Sequence, residues 1–257
     1  MKIYILTDLE GTSGVARWDQ TGADTPGYPQ AVRLATEELR ACVAGIQSAA
    51  PAADIWVWDG HGCGSLDIER FPRGARLLNN GPVTPTYYLD ASFDALFFLG
   101  QHAMAGTGAA NLAHTYSSAS IERYLLNGVE MGEFGCRAAL AGAVGVPTVF
   151  VSGDDKMMAE ARALVPGIYG AQVKVGLAPQ MALHMAPEDA RDLIRNVARE
   201  ATLGAGAVAP YVLEAPYEQE ITIWGRTDPT PYLSRGFTQT GPRTFVKRAA
   251  SLYDLSI

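Results

Sequence analysis

The sequence contains few cysteines and no long apolar run. Its three cysteines, Cys42, Cys63 and Cys136, are too sparse and too odd in number for a disulfide framework, and they suit a reducing compartment. No stretch approaches the roughly 20 apolar residues of a membrane span. The first residues also lack the apolar length and the small-residue cleavage site of a signal peptide. We therefore expect a soluble, cytoplasmic protein that has no membrane partner.

Basic residues are scarce as well. The chain has 20 Lys and Arg against 27 Asp and Glu, which gives a net charge of −7, and it has no basic cluster. Because nucleic-acid binding requires a basic face, we expect no nucleic-acid partner. Apolar residues are abundant: 48% of the 257 residues are hydrophobic, which is enough for one large domain or one and a half.

Strand-like and helix-like patterns alternate along the first part of the chain. Short apolar runs typical of buried strands occupy 2–7, 54–58, 94–99 and 147–152. Helical patterns occur between them, and the longest covers about 29–49. This alternation predicts an α/β domain over residues 1–165, in which a mostly parallel sheet is flanked by helices.

The remaining residues show a different order of elements. A helical pattern covers 187–203 and follows a β-like run at 169–175, and two further β-like runs cover 218–224 and 244–246. This order predicts a smaller C-terminal α+β domain over residues 166–257. Asn127-Gly128, a strong hairpin-turn signal, separates two further short β-like runs within the first domain.

Metal-capable side chains follow three of the predicted strands. Asp8 and Glu10 follow the run at 2–7, His61 follows the run at 54–58 and His102 the run at 94–99, and Glu133 opens a predicted helix. In open α/β sheets, ligands bind beyond the carboxyl ends of the strands. Residues two apart in an extended segment also face the same side, so Asp8 and Glu10 can point toward one place. We therefore expect all five side chains to converge.

These five side chains supply three carboxylates and two imidazoles. Such nitrogen and oxygen donors leave room for water, unlike the closed thiolate sites that serve structural roles. Two divalent cations and three carboxylates leave one positive charge, which a hydroxide balances. The set therefore predicts a binuclear hydrolytic site at which a metal-activated water is the nucleophile.

The motifs that carry these residues resemble those of the zinc-dependent D-aminopeptidase family, also known as the dipeptide-transport-protein family. They occur in the family's order within residues 1–166: Asp8-Leu9-Glu10-Gly11, Asp59-Gly60-His61, Gly100-Gln101-His102-Ala103, Ala113-His114-Thr115 and Gly132-Glu133-Phe134-Gly135. The second motif departs from the family, which more often has Ser before the His. Val151-Ser152-Gly153-Asp154-Asp155 resembles a further family block, to which no role is assigned.

The resemblance implies a site with two zinc ions per subunit. Asp8 would bridge both ions, Glu10 and His102 would complete one site, and His61 and Glu133 the other. His114 would be the catalytic histidine; the family describes it as the nucleophile, whereas physical reasoning favours a general base or a transition-state stabiliser.

The resemblance also implies an activity and an assembly. The activity is the release of N-terminal residues from short peptides of D-amino acids, such as D-Ala-D-Ala. The assembly is a ring-shaped homo-oligomer, of the decamer type, that encloses the active sites. The stereochemistry of the substrate and the size of the oligomer follow from the resemblance alone.

Other functions and other roles stay open. A binuclear site also suits ester or phosphoester cleavage, although no basic cluster is present for a phosphate. A non-catalytic, ring-forming peptide-binding protein with structural metals is the remaining alternative. Imidazole and carboxylate sites also accept Mn, Co or Fe. Asp59 could orient His61 or form an Asx turn, while Cys63 and His184 are expected to lie outside the metal-ligand set.

Overall fold

The computed structural model describes residues 1–79 and 86–255 of the chain. The first six strands are β1 (Lys2–Thr7), β2 (Asp54–Asp59), β3 (Ala75–Leu78), β4 (Ala95–Gln101), β5 (Ile121–Leu126) and β6 (Val129–Glu130). The other six are β7 (Thr148–Asp154), β8 (Tyr169–Ala178), β9 (Met181–His184), β10 (Tyr217–Ile223), β11 (Thr238–Gln239) and β12 (Thr244–Ala249). The α-helices are α1 (Tyr28–Ala49), α2 (Glu133–Ala143), α3 (Asp155–Leu164), α4 (Pro187–Gly204) and α5 (Thr230–Ser234).

The strands form two sheets. Sheet A has seven strands in the order β3-β2-β1-β4-β7-β8-β9, all parallel except for the antiparallel edge strand β9. Sheet B has five antiparallel strands in the order β11-β12-β10-β5-β6. Helices pack on sheet A, with α1 against α4 and α2 against α3. The predicted α/β class, a mostly parallel sheet flanked by helices, is confirmed.

The central strands of sheet A are fully buried because their side chains are apolar on both faces. Ile3 and Ile5 of β1 and Phe97 and Phe98 of β4 have no exposed surface, as expected for parallel strands covered by helices. The polar residues therefore concentrate where these strands end. The β5–β6 hairpin turns at Asn127-Gly128, where both residues have positive φ, 51° and 76°.

The division of the chain into domains at residue 165 stays a prediction, but the two sheets do not follow it. Strands β8 and β9 lie after that boundary and complete sheet A, because β8 pairs in parallel with β7 and α4 packs on α1. Strands β5 and β6 lie before it and belong to sheet B. Within the described ranges, no helix combines the length and the apolar character needed to cross a membrane.

Candidate metal centre

Glycines allow the ends of β1 and β4 to meet closely. Gly100 has a φ of +74°, and a Cβ atom there would lie 2.3 Å from the backbone oxygen of Asp8. A Cβ atom at Gly11 would lie 2.2 Å from the backbone oxygen of Gln101. Only glycine fits such a close approach of two backbones. The glycines of two motifs therefore bring Asp8 and His102 side by side.

The six predicted site residues lie together: five are at the carboxyl ends of β1, β2 and β4 and at the start of α2, and His114 is on the loop between β4 and β5. They form two groups, each with its donor atoms within 4.8 Å of one another: Asp8, Glu10 and His61, and then His102, His114 and Glu133. His102 joins the groups, because its Nε2 lies 3.3 Å from Asp8 Oδ2 and 3.4 Å from Glu133 Oε1. The predicted convergence of these side chains is confirmed, whereas their role as metal ligands stays a prediction.

The distances favour one pairing of histidines with carboxylates. His61 Nε2 lies 3.4 Å from Glu10 Oε1, and His102 Nε2 lies at the same distance from Glu133 Oε1. The resemblance instead implied Glu10 with His102 and His61 with Glu133. Because Asp8 touches His102 and belongs to the same group as Glu10, it is placed to serve both halves.

The three histidines of the site share one orientation. In each, Nδ1 lies within hydrogen-bond distance of a backbone carbonyl oxygen, at Gly64, Ala103 and Leu112, over 2.9, 3.0 and 2.9 Å. Since a carbonyl only accepts, each Nδ1 carries the hydrogen, and each Nε2 faces the carboxylates. Metal-binding histidines are oriented by such a second hydrogen bond. His184 differs, because its Nδ1 accepts from the backbone N–H of Gly14 at 3.0 Å.

Burial and mutual repulsion shape the ionisation of the carboxylates. Burial and the neighbouring Glu10 raise the pKa of Asp8 to about 7. Burial alone would raise the pKa of Glu133, but the contact with His102 outweighs it and lowers that pKa to about 2. In the same way, Glu10 overcomes the effect of burial on His61 and raises its pKa to about 10. The carboxylates of Glu10 and Glu133 thus stabilise positive charge on the neighbouring His61 and His102.

Two buried atoms in the site lack hydrogen-bond partners. They are Glu10 Oε2 and His102 Nε2, and both belong to donor types that bind zinc. An unsatisfied buried polar atom costs about 1–3 kcal/mol, and a bound cation would remove that cost. The orphaned atoms, the carboxylate charge and the histidine orientation therefore all fit a metal centre.

His114 lies beside this centre on a strained loop. Its ring stacks on His102 with ring centroids 3.9 Å apart, and its Nε2 lies 3.8 Å from Glu133 Oε1. Burial and the neighbouring His102 lower its pKa. Ala109, Leu112 and Tyr116 all have positive φ, between 53° and 59°. Strain of this kind collects at functional sites, where the surrounding structure fixes it.

A buried lysine links the loop of Glu10 to the loop of His114. The Lys174 ammonium donates to the backbone oxygens of Glu10 and Val15 and to Asn111 Oδ1, the last two at 2.6 and 2.9 Å. Asp154 Oδ2 in turn accepts from the N–H of Asn111 at 3.2 Å, while its Oδ1 caps α3. Asp154, which had no assigned role in its motif, therefore anchors the His114 loop.

The contacts of Asp59 and Cys63 show how the turn that carries His61 is held. The Asp59 carboxylate accepts from Ser65 N at 2.8 Å and from Ser65 Oγ at 2.7 Å, and no contact with His61 is formed within the described part of the chain. Because these bonds reach six residues along the chain, Asp59 closes the loop that carries His61 and does not form an Asx turn. Cys63 Sγ is exposed and lies 3.6 Å from His61 Nδ1, on the side away from the carboxylates.

Three residues at the site were not predicted. Gln101 Nε2 donates to Asp8 Oδ2 at 3.3 Å, and the Lys174 ammonium donates to the backbone oxygen of Glu10. Arg137 lines the cavity in front of the site. Arg137 stands four residues after Glu133 in α2, and this spacing places the two on one helix face. That spacing was a readable signal. Lys174 gave none, because a lone lysine in a strand is usually exposed.

Comparisons with known proteins agree with this geometry. The family model described as D-aminopeptidase matches residues 1–253. A protein named D-aminopeptidase from Bacillus subtilis (strain 168) is 30% identical over 199 residues, which cover 76% of this chain and 71% of that protein. A solved structure, described as the Zn-dependent D-aminopeptidase DppA from Bacillus subtilis, a self-compartmentalizing protease, superposes with a TM-score of 0.90 at 25% identity, covering 99% of this chain and 93% of that one. The chain belongs to the D-aminopeptidase family.

Proposed function

We propose that this chain is a zinc-dependent aminopeptidase that releases the N-terminal residue of short peptides, in particular peptides of D-amino acids such as D-Ala-D-Ala. The observation that carries the proposal is the common orientation of His61, His102 and His114, each with Nδ1 bound to a carbonyl and Nε2 facing the carboxylates of the site. The match to the D-aminopeptidase family supports the choice of bond and substrate.

The residues that would hold zinc fall into two halves that share Asp8. Glu10 and His61 form one half, and His102 and Glu133 form the other. Two zinc ions bound there would polarise the scissile carbonyl and lower the pKa of a bound water. Backbone groups orient the carboxylates: Leu9 N donates to Asp8 Oδ1 at 2.8 Å, and Tyr116 N donates to Glu133 Oε1 at 2.7 Å.

His114 is proposed to move the proton. With Nδ1 donating to Leu112, the Nε2 lone pair faces the cavity and can accept a proton from the attacking water. Its lowered pKa favours the neutral form that this step requires. The same Nε2 can then return the proton to the leaving amine. His114 thus acts as general base and then as general acid.

We further propose a homo-oligomer that encloses the active sites in a ring, with a decamer as the expected size. The edge strand β9 supports assembly, because its outward-facing Met181 and Leu183 are 58% and 65% exposed. Exposed apolar edge strands normally pair with another surface. Light scattering of the wild type and of a M181K/L183K double variant tests this: the variant should form smaller species.

The absence of disulfides among Cys42, Cys63 and Cys136 supports a cytoplasmic location.

The activity is tested by stripping the protein of metal, adding zinc and measuring hydrolysis of D-Ala-D-Ala. The wild type should bind two zinc ions per chain and cleave the peptide. H114A should keep both ions but lose about 10²- to 10⁴-fold in kcat, as removal of a general base does. R199A, at an exposed position of α4, is the control and should behave as the wild type. Cleavage of a chromogenic ester or phosphodiester without cleavage of peptides would instead support the other hydrolase function. Two bound zinc ions with no turnover on any substrate would favour a peptide-binding protein.

A further inference from the structure

The cavity in front of the metal centre is charged unevenly. It has a volume of about 400 Å³, and Asp8, Glu10, His61, His114 and Glu133 line its inner end. Among the described lining residues, Arg137 alone carries a permanent positive charge. The cavity thus has one permanently charged cation, Arg137, beside the carboxylates and imidazoles of the candidate metal centre.

Arg137 is held in position by its helix and by aromatic rings. It follows Glu133 by four residues in α2, so the two side chains leave the same face of the helix. The guanidinium carbon lies 4.0 Å from the ring centroid of Tyr87, 5.2 Å from Trp58 and 5.4 Å from Tyr116. Aromatic faces restrict the orientation of a guanidinium. Arg137 and Glu133 therefore leave the helix one turn apart, and the rings hold the guanidinium beside the cavity that both residues line.

We propose that Arg137 binds the free C-terminal carboxylate of a dipeptide whose scissile carbonyl lies at the metal centre. This inference rests on the function proposed above. Four residues of helix rise about 6 Å, and the carboxylate of a dipeptide lies about one residue length, about 3.8 Å, beyond the scissile bond. Each further residue would move the carboxylate away from Arg137. The enzyme thus favours dipeptides with a free carboxylate over amides and longer peptides.

Kinetics with two substrates tests the inference. The wild type should cleave D-Ala-D-Ala with a kcat/KM at least about 10-fold higher than D-Ala-D-Ala amide. R137Q should lower kcat/KM for the free acid about 10- to 100-fold, mainly through KM, and for the amide less than about 3-fold. R137K, which keeps the charge but loses the planar fork, should recover part of the loss. R199Q, at an exposed position of α4, is the control.

A binding measurement makes the test independent of turnover and of folding defects. Calorimetry with the non-cleavable isostere of D-Ala-D-Ala, in which a methylene replaces the carbonyl, should show that the wild type binds the acid at least about 10-fold more tightly than its amide. R137Q should bind both forms equally while retaining its zinc and its melting temperature. Equal binding or no binding of the two forms by the wild type would show that the inference is wrong. Tight binding of the acid without any peptide cleavage would contradict the proposed function but leave the carboxylate site standing.

Discussion

The two halves of the candidate metal centre are held by different means. His102 and Glu133, the His102 half, stand at the end of β4 and the start of α2. Glu10 and His61, the Glu10 half, stand on turns after β1 and β2. One half is therefore positioned by regular elements, and the other by loops.

The loops of the Glu10 half depend on polar groups that carry no ligand themselves. Lys174 holds the backbone of Glu10, and Asp59 holds the turn of His61. The His102 half has such support too, from the backbone N–H of Tyr116 to Glu133, but its backbone is already fixed by β4 and α2. Substitutions in the supporting residues should therefore weaken the Glu10 half first.

The largest expected effect comes from removing ligands in pairs. An E10A/H61A variant empties one half and should keep about one zinc ion per chain, whereas E10A/H102A damages both halves and should keep none. Metal analysis by mass spectrometry after dialysis distinguishes them. Both variants should lose at least about 10³-fold in kcat/KM, because a two-metal site lowers the activation barrier of hydrolysis by several kcal/mol.

The reverse result would establish the other pairing. One zinc ion in E10A/H102A and none in E10A/H61A would mean that Glu10 shares its ion with His102, as the resemblance implied. D8A serves as the reference, since the shared carboxylate should be needed for both ions.

Replacing the buried lysine should have the next largest effect. K174M leaves the backbone oxygens of Glu10 and Val15 and the Asn111 amide without their donor. We expect kcat to fall about 10- to 100-fold and the free energy of unfolding to fall by about 1–3 kcal/mol for each unpaired acceptor. Kinetics and urea unfolding of the zinc-bound protein measure the two effects.

The control for this lysine lies in sheet B. K247M removes a lysine of β12 that is remote from the metal centre and should change neither quantity. A K174M protein that loses stability but keeps its kcat would mean that Lys174 serves the fold alone and does not position Glu10 and His114.

A smaller effect is expected at the turn of His61. D59A removes the acceptor for Ser65 and loosens the residues between them. Zinc affinity of the Glu10 half should fall about 10-fold, while the second ion stays bound, as zinc titration with a colorimetric chelator would show. Equal weakening of both ions would contradict the difference between the halves. Q101L removes the donor to the shared Asp8 and should instead weaken both ions.

Much of the fold could be predicted from the sequence because its strands and helices are strongly patterned. The runs predicted at 54–58 and 187–203 became Asp54–Asp59 and Pro187–Gly204. The edge strand Met181–His184 could not be predicted, since four residues with two exposed apolar side chains show no decisive period. The return of the chain to sheet A could not be predicted either, because it depends on pairing between distant segments.

The convergence of the site residues could be predicted from the sequence, but their pairing could not. Asp8, His61 and His102 follow strands, and parallel strands end at one edge, so their meeting could be inferred from position alone. The pairing of Glu10 with His61 required distances that the sequence does not contain. The role of Lys174 depends on burial within a strand, where sequence pattern favours exposure.

The smallest effect concerns stability alone. It tests whether Glu38 of α1 holds the segment that follows Glu10. Glu38 of α1 is buried and accepts a hydrogen bond from Ser13 N at 2.9 Å, in the segment that follows Glu10. Burial raises its pKa from 4.5 to about 8, although Ser13, Lys174 and Arg191 oppose the shift. The folded protein therefore binds this proton more tightly than the unfolded chain does, so its contribution to stability is lost as the pH rises from about 4.5 to about 8.

E38Q keeps the neutral form at every pH and should flatten this dependence. Urea unfolding of zinc-saturated wild type and variant, between about pH 5.5 and about pH 7.5, should show slopes that differ by at most about 1.4 kcal/mol per pH unit. Zinc content should be equal in both, because Glu38 contacts the segment after Glu10 and no proposed ligand. Parallel slopes would mean that Glu38 is ionised in the folded protein, and the loop of Glu10 would then be held by a charge pair with Lys174 instead of a neutral acid.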